Sequence, residues 1–188
     1  MNEKAMIKGT TILSRLDFLR ERGGEDAVKA VRKKLENSFD LKAGEIILSM
    51  SWFPLKMDDA LCRLVAKELG KTGESIFREM GIYSAKHHSK MFMRILESRN
   101  TPDSFFAMIP RFHNTYDKNW GQMVYSKPEE NSALLTVRSP GESYRSNCVS
   151  TIAYLEETCR LVTDTRVIAK EQACGALGNP DCEWFFTW

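Results

Sequence analysis

The sequence has few histidines, no long apolar run and no excess of charge of one sign. Its 188 residues include 3 histidines, and 27 basic residues are offset by 25 acidic ones to a net charge of +2. Phosphate backbones demand a concentrated positive field, so nucleic acid is not an expected partner. No stretch approaches the roughly 20 apolar residues that cross a bilayer, and the first residues lack the apolar centre of a signal peptide. We therefore expect a soluble, cytoplasmic protein without a membrane span.

The sequence also lacks the short motifs of common enzyme classes. It contains no Gly-x-Ser-x-Gly elbow, no phosphate-binding loop, no Gly-x-Gly-x-x-Gly after a strand and no His-Glu-x-x-His pattern. Its five cysteines occur without a secretory signal, which favours reduced thiols over a disulfide framework. We therefore expect a binding protein rather than an enzyme, with thiols that are either core residues or metal ligands.

The order of patterns predicts one domain over residues 1–188 with an α+β fold. Apolar residues have helical spacing in the first half, and after Asn119 the pattern becomes strand, strand, helix, strand, strand. Helices followed by such a block indicate an antiparallel sheet rather than a doubly wound one. The prediction is a helical N-terminal half packed on an antiparallel sheet.

Two predicted helices on either side of the sequence RNTPD are rich in methionine and phenylalanine. Such clusters usually form ordinary core, but thioether and aromatic side chains also adapt to irregular apolar ligands. A pocket for a small hydrophobic molecule is therefore predicted here, lined by Met91, Met93, Phe105, Phe106, Met108, Phe112 and Met123.

The C-terminal stretch KEQACGALGNPDCEWFFTW places Glu171, Cys174 and Cys182 around a glycine-rich turn. On a regular strand Glu171 and Cys174 face opposite sides, so they converge only if the strand ends in a bulge or turn. Zinc commonly takes four ligands in a tetrahedron and suits thiolates, and the fourth group must come from Cys148 or Cys159 on the preceding predicted helix. Spacing alone leaves a metal site and a metal-free hairpin with buried thiols equally open.

The four positions Cys148, Glu171, Cys174 and Cys182 follow the pattern Cys-x22-Glu-x2-Cys-x7-Cys. This pattern resembles the zinc signature of the 4-vinyl reductase-like sensory domain of phenol-responsive transcription activators, and the text E-x-x-C-G-x-x-G-x-x-x-C-E is similar to the C-terminal signature of that family. The resemblance covers residues 148–188. It implies a fold shared with heme nitric-oxide-binding domains and TRAPP vesicle-tethering subunits, with an apolar pocket and frequent dimerisation. It also implies that these four residues hold a structural zinc ion, because four protein ligands leave no position for an activated water.

On this resemblance we expect a sensor or carrier that signals through a protein partner or a homodimer, and two alternatives stay open. One is an interaction module like the TRAPP subunits, with a vestigial pocket. The other is a heme gas sensor that uses His113, which stands where such sensors have their proximal ligand. Those sensors hold the heme propionates with a Tyr-x-Ser-x-Arg motif, whereas here Tyr144 and Ser146 are followed by Cys148. We therefore expect zinc as the cofactor and do not expect heme.

Overall fold

The computed structural model describes residues 4–39, 44, 46–87 and 100–188 of the chain. Over these ranges the helices, α1 to α5 in chain order, are Gly9–Phe39, Leu55–Glu68, Ser75–Lys86, Pro102–Tyr116 and Arg145–Thr163. The strands, β1 to β7, are Met6–Lys8, Trp52–Pro54, Asp117–Lys118, Gln122–Ser126, Ser132–Arg138, Ile168–Ala173 and Cys182–Thr187. The predicted α+β class is confirmed.

The strands form two antiparallel sheets. The small sheet has the order β2-β1-β3, and the larger sheet has the order β4-β5-β7-β6. The two hairpins of the larger sheet are those expected from the sequence, and α5 connects them. The prediction of an antiparallel rather than a doubly wound sheet is therefore confirmed.

Local signals in the sequence set the helix ends. Gly24 interrupts α1 with φ 79°, a left-handed value that glycine adopts without steric cost. Helix α4 begins at Pro102, and the Thr101 side chain accepts a hydrogen bond from the backbone N–H of Ser104. A capping threonine followed by proline is a typical helix start, so this boundary was readable in the sequence.

The core contains residues of all five helices and of the larger sheet. Strand β7 alternates buried and half-buried residues, and Trp184 and Phe186 on its inner face are fully buried. Phe106 of α4 packs on Phe186 with ring centroids 4.5 Å apart. Among the described residues, no helix combines the length and apolar character needed to traverse a bilayer.

Candidate functional site

A cavity of about 440 Å³ lies among α1, α3, α4 and α5. This volume falls in the range of small-molecule sites, roughly 300–1,000 Å³. One part of its wall is apolar and consists of Ile7, Leu13, Ile109, Phe112, Met123 and Leu155. The cavity can therefore hold a compact ligand with a largely apolar surface.

His113 is buried in the wall of this cavity, one turn before the end of α4. Its Nε2 atom lies 3.1 Å from the backbone carbonyl oxygen of Trp120, and its Nδ1 atom lies 3.4 Å from Oδ2 of Asp117. Asp117 follows four residues later and also lines the cavity. An imidazole between a carboxylate and a carbonyl oxygen has the kind of partners that orient a histidine metal ligand.

A second part of the wall carries a buried charge. The Arg15 guanidinium donates to Ser84 Oγ at 3.2 Å and to Ser150 Oγ at 2.9 Å. Behind the wall, Arg15 Nε lies 3.4 Å from Oδ1 of the fully buried Asp58. Burial alone lowers the pKa of Arg15, but the Asp58 carboxylate raises it above its ordinary value, so Arg15 stays charged. Arg15 and Asp58 thus form a buried pair, in which burial raises the pKa of Asp58 above its ordinary value.

The cavity includes only part of the pocket predicted from the methionines and phenylalanines. Phe112 and Met123 line it. Phe105 and Phe106 are fully buried and pack edge-to-face in the core, and half-buried Met108 packs against that core outside the cavity wall. Met91 and Met93 lie outside the described residues. The helical face that carries Phe105 and Phe106 is turned toward β7, which explains why these rings became core.

A second cluster of chemically reactive groups forms at the C-terminal hairpin. The Sγ atoms of Cys148, Cys174 and Cys182 all lie within 4.8 Å of one another, and those of Cys148 and Cys182 are 3.8 Å apart. Cys148 comes from the first turn of α5, whereas the other two flank the turn between β6 and β7. Strand pairing shifts register between Glu171 and Ala173, which is the irregularity that the spacing requires. All three thiols are buried.

Glu171, the remaining member of the predicted ligand set, is not part of this group. Its two carboxylate oxygens lie 2.7 and 2.6 Å from Nη1 of Arg145. Arg145 also donates to Glu74 at the start of α3. The arginine therefore connects β6, α5 and α3, and the assignment of all four residues as metal ligands stays a prediction.

The close approach of the thiols makes their proton affinities unequal. The hydrogen bond that Cys182 accepts from Cys148 lowers the pKa of Cys182 to about 7, and the backbone N–H of Gly175 contributes to this at 3.2 Å. The same bond, together with burial, raises the pKa of Cys148 far above its ordinary value. Of this pair, Cys182 is therefore the thiol that ionises more readily, and Cys148 is the one that keeps its proton.

Solved structures of H-NOX domains have this fold. One, from a study of heme distortion in the H-NOX family, has a TM-score of 0.72 and 14% identity and covers 97% of this chain and 95% of that one. An H-NOX protein from S. oneidensis in the Fe(II)NO ligation state has a TM-score of 0.72 and 13% identity, with 96% and 98% covered. An oxygen-binding H-NOX domain related to soluble guanylate cyclases has a TM-score of 0.70 and 14% identity, with 96% and 94% covered.

At such low identity the likeness establishes the fold. No family model matches the chain, and no curated protein matches it. The predicted fold, one shared with heme nitric-oxide-binding domains, is thus confirmed.

The expectation of structural zinc as the cofactor, with heme not expected, is wrong. It is overturned by the fold neighbours, which are named for heme distortion, for an Fe(II)NO state and for an oxygen complex. The error came from giving the missing arginine of Tyr-x-Ser-x-Arg more weight than His113. A propionate contact is a peripheral part of a heme site, whereas a buried histidine in a cavity wall is its centre.

The sequence analysis missed three residues: Arg15 and Asp117, which line the cavity, and Asp58, which contacts Arg15. Arg15 and Asp58 belong to α1 and α2, and the only signal was the presence of charged residues beside buried apolar positions of those helices. Asp117 follows His113 by four residues, a spacing at which side chains meet on a helix, so it could have been found.

Proposed function

We propose that this chain is a sensor domain for a small gas and that its cavity binds heme, with His113 as the axial ligand of the iron. The observation that carries the proposal is the position of His113, buried in the wall of a cavity of about 440 Å³ within an H-NOX fold. Histidine is the proximal ligand in several classes of heme protein. Bound there, the heme would supply the iron position at which a gas binds.

The residues around His113 fit this role. The Asp117 carboxylate, 3.4 Å from Nδ1, is placed to accept the Nδ1 proton, which would fix the tautomer with a lone pair on Nε2. Nε2 now lies beside the Trp120 carbonyl oxygen at 3.1 Å, so ligation through Nε2 requires the imidazole to turn away from Trp120. The apolar wall that contains Phe112 and Met123 would cover a porphyrin face.

The propionates of a heme bound here would not meet the partners that a Tyr-x-Ser-x-Arg motif provides. The Tyr144 hydroxyl donates to Glu142, and the Ser146 hydroxyl donates to Asp59 at 2.6 Å. Both hydroxyls are therefore engaged by acidic residues. We accordingly expect heme to be held mainly by the iron ligand and by apolar contact.

Absorption spectroscopy of the full chain titrated with hemin tests the proposal. We expect a Soret band that saturates near one heme per chain and that is lost or strongly shifted in His113→Ala. His87→Ala is the matched control, since His87 lines the same cavity from the C-terminal end of α3. Absence of a saturable band in the wild type, or its loss only in the His87 variant, would contradict the proposal.

The three clustered thiols support a second, independent proposal. We propose that Cys148, Cys174 and Cys182 bind one metal ion, with Glu171 as a fourth ligand once it leaves Arg145. Sulfur atoms within 4.8 Å of one another are the support for this set, and it agrees with the hairpin's resemblance to the 4-vinyl reductase-type signature.

Mass spectrometry of all metals in the purified chain should find one ion per wild-type chain and a large loss in Cys182→Ser. Cys62→Ser, which lies away from the cluster, is the control.

We further propose that the domain acts without enzymatic activity and passes its signal to a protein partner or to a second copy of the chain. Helix α5 supports this route, because it carries Cys148 of the thiol cluster and also Ser150 and Leu155 of the cavity wall. Light scattering after size-exclusion chromatography, with and without hemin, tests the dimer. A monomer at all concentrations in both states would contradict it.

A further inference from the structure

One face of the small sheet points away from the cavity. Ile7 of β1 and Asp117 of β3 are paired and both line the cavity, so residues of the opposite parity on these strands face outward. By the strand register, the outward residues are Met6 and Lys8 of β1, Trp52 and Pro54 of β2, and Lys118 of β3. All five are half-buried or exposed, and they form the outer face of the small sheet.

Three large aliphatic side chains stand exposed just before β2. Ile46 is 76% exposed, Leu48 is 59% exposed and Met50 is 72% exposed, whereas Ile47 between the first two is buried. Apolar side chains grouped in this way on a surface are typical of an interaction site rather than of a scattered, incidental exposure. These three residues are the exposed row.

Backbone contacts hold the exposed row next to the outer face. Lys8 Nζ donates to the backbone carbonyl oxygen of Met50 at 2.8 Å and lies 3.9 Å from the centre of the Trp52 ring. The Gly9 N–H, at the start of α1, donates to the carbonyl oxygen of Ser51 at 2.8 Å. The exposed row and the outer face are therefore parts of one surface with a fixed backbone.

The charge on this surface is positive. Lys8 and Lys118 belong to the outer face, and exposed Lys4 lies at the same edge, where its carbonyl oxygen accepts a hydrogen bond from Nδ2 of Asn119. None of these three lysines forms an ion pair with an acidic residue in the described ranges. Asp117, the acidic residue of this sheet, faces the cavity instead. The surface therefore attracts anions without a local counter-charge.

This combination suits a lipid surface better than a protein. Aliphatic side chains can enter the acyl region, tryptophan prefers the level of the head groups, and lysines are attracted to anionic lipids. The exposed row and Trp52 together present less than the roughly 800 Å² per partner that a specific protein interface buries. A membrane needs neither that area nor a matching contour.

We infer that this surface binds the anionic face of a lipid membrane, with Ile46, Leu48 and Met50 inserted among the acyl chains and with Lys8 and Lys118 against the head groups. The domain lies on the membrane and does not span it. This inference goes beyond the heme and metal proposals, because neither His113 nor the thiol cluster contributes to the surface.

Flotation of the full chain with lipid vesicles tests the inference. Two compositions are compared, phosphatidylcholine with about 30% phosphatidylserine and phosphatidylcholine alone. We expect binding to the anionic vesicles that weakens as salt is added, and little binding to the neutral ones.

Variants separate the apolar part of the surface from the basic part. Leu48→Ser combined with Met50→Ser should lower the vesicle affinity at least about tenfold, because the burial of two large apolar side chains is lost. Lys118→Gln should lower it about fivefold, the effect of one basic residue near an anionic surface. The matched control is Ile168→Ser combined with Lys170→Gln, which removes an exposed aliphatic and an exposed lysine from β6 and should keep the wild-type affinity. Far-UV circular dichroism verifies that each variant is folded.

Three results would overturn the inference. One is no binding of the folded wild type to anionic vesicles, and another is equal binding to the two compositions. The third is the same loss of affinity in the β6 control as in the variants of the surface. If vesicles are not bound but the chain dimerises and the Leu48 and Met50 variant abolishes the dimer, the surface belongs to a second copy of the chain instead. Hemin titration, read separately from the Soret band, distinguishes a failure here from a failure of the heme proposal.

Discussion

The molecule has two buried polar centres that are built differently. In the cavity, polar side chains from four helices surround a space, and Arg15 is held there by serines of two other helices. At the C-terminal hairpin, the Sγ atoms of three buried cysteines all lie within 4.8 Å of one another. The first arrangement has room for an organic ligand, and the second has the ligand atoms for a metal ion.

The two centres also differ in what holds them in place. The cavity depends on full charges, because Arg15 and Asp58 are buried together and neither has another ion-pair partner in the described ranges. The thiol cluster rests on the backbone of one hairpin and one helix. Loss of a group should therefore be costly for folding in the first centre and mild in the second.

The largest effect is expected from Arg15→Met. It leaves the Asp58 carboxylate buried without a counter-charge, so the free energy of unfolding should fall by about 4 kcal/mol. Urea denaturation followed by circular dichroism measures this. Arg15→Met combined with Asp58→Leu is the control and should recover most of the loss, because no charge is then left buried. A small loss in the single variant would show that the pair does not hold the cavity.

Phe106→Ala tests whether this ring belongs to the core rather than to the ligand site. Phe106 packs on Phe186 and stacks on Trp188. Its removal should lower the free energy of unfolding by about 3 kcal/mol through the space it leaves. The hemin affinity of the folded fraction should be unchanged. A loss of hemin affinity without a loss of unfolding free energy would instead show that Phe106 belongs to the pocket.

Asp117→Asn should affect heme rather than folding. The amide can still contact Nδ1 but does not favour its protonated state, so hemin affinity should fall by about 10- to 100-fold. Competition with apomyoglobin provides the measurement. Asp103→Asn, near the start of α4 and paired with Lys127, is the matched control. An unchanged hemin affinity in Asp117→Asn would show that Asp117 does not support the heme ligand.

The smallest effect concerns pH. The hydrogen bond from Arg145 lowers the pKa of Glu74 below its ordinary value of 4.5. The stability that this contributes is present above pH 4.5 and is lost as the pH falls through the lower folded-state value. Because the Glu74 side chain is half exposed, the loss should be below about 1 kcal/mol between about pH 6 and pH 3. Glu74→Gln should remove this component of the pH dependence, and an unchanged profile would contradict the assignment.

The contrast between the centres explains what the sequence could predict. The thiols were predictable because Cys174 and Cys182 flank one hairpin and Cys148 starts the adjacent helix. The cavity was not, because Arg15 meets Ser84 and Ser150 across separations of 69 and 135 residues, which leave no local pattern. The helix and strand order was predictable from periodicity, whereas the turning of Phe106 into the core depended on the packing of α4 against β7.

The most direct test of the heme proposal is chemical rescue at the iron ligand. Hemin-loaded His113→Gly should show an altered Soret band, and added imidazole should restore the wild-type spectrum by filling the space that the side chain leaves. Hemin-loaded His87→Gly should match the wild type with or without imidazole. Rescue at position 113 alone would establish His113 as the axial ligand, whereas a wild-type spectrum in His113→Gly without imidazole would contradict the central claim.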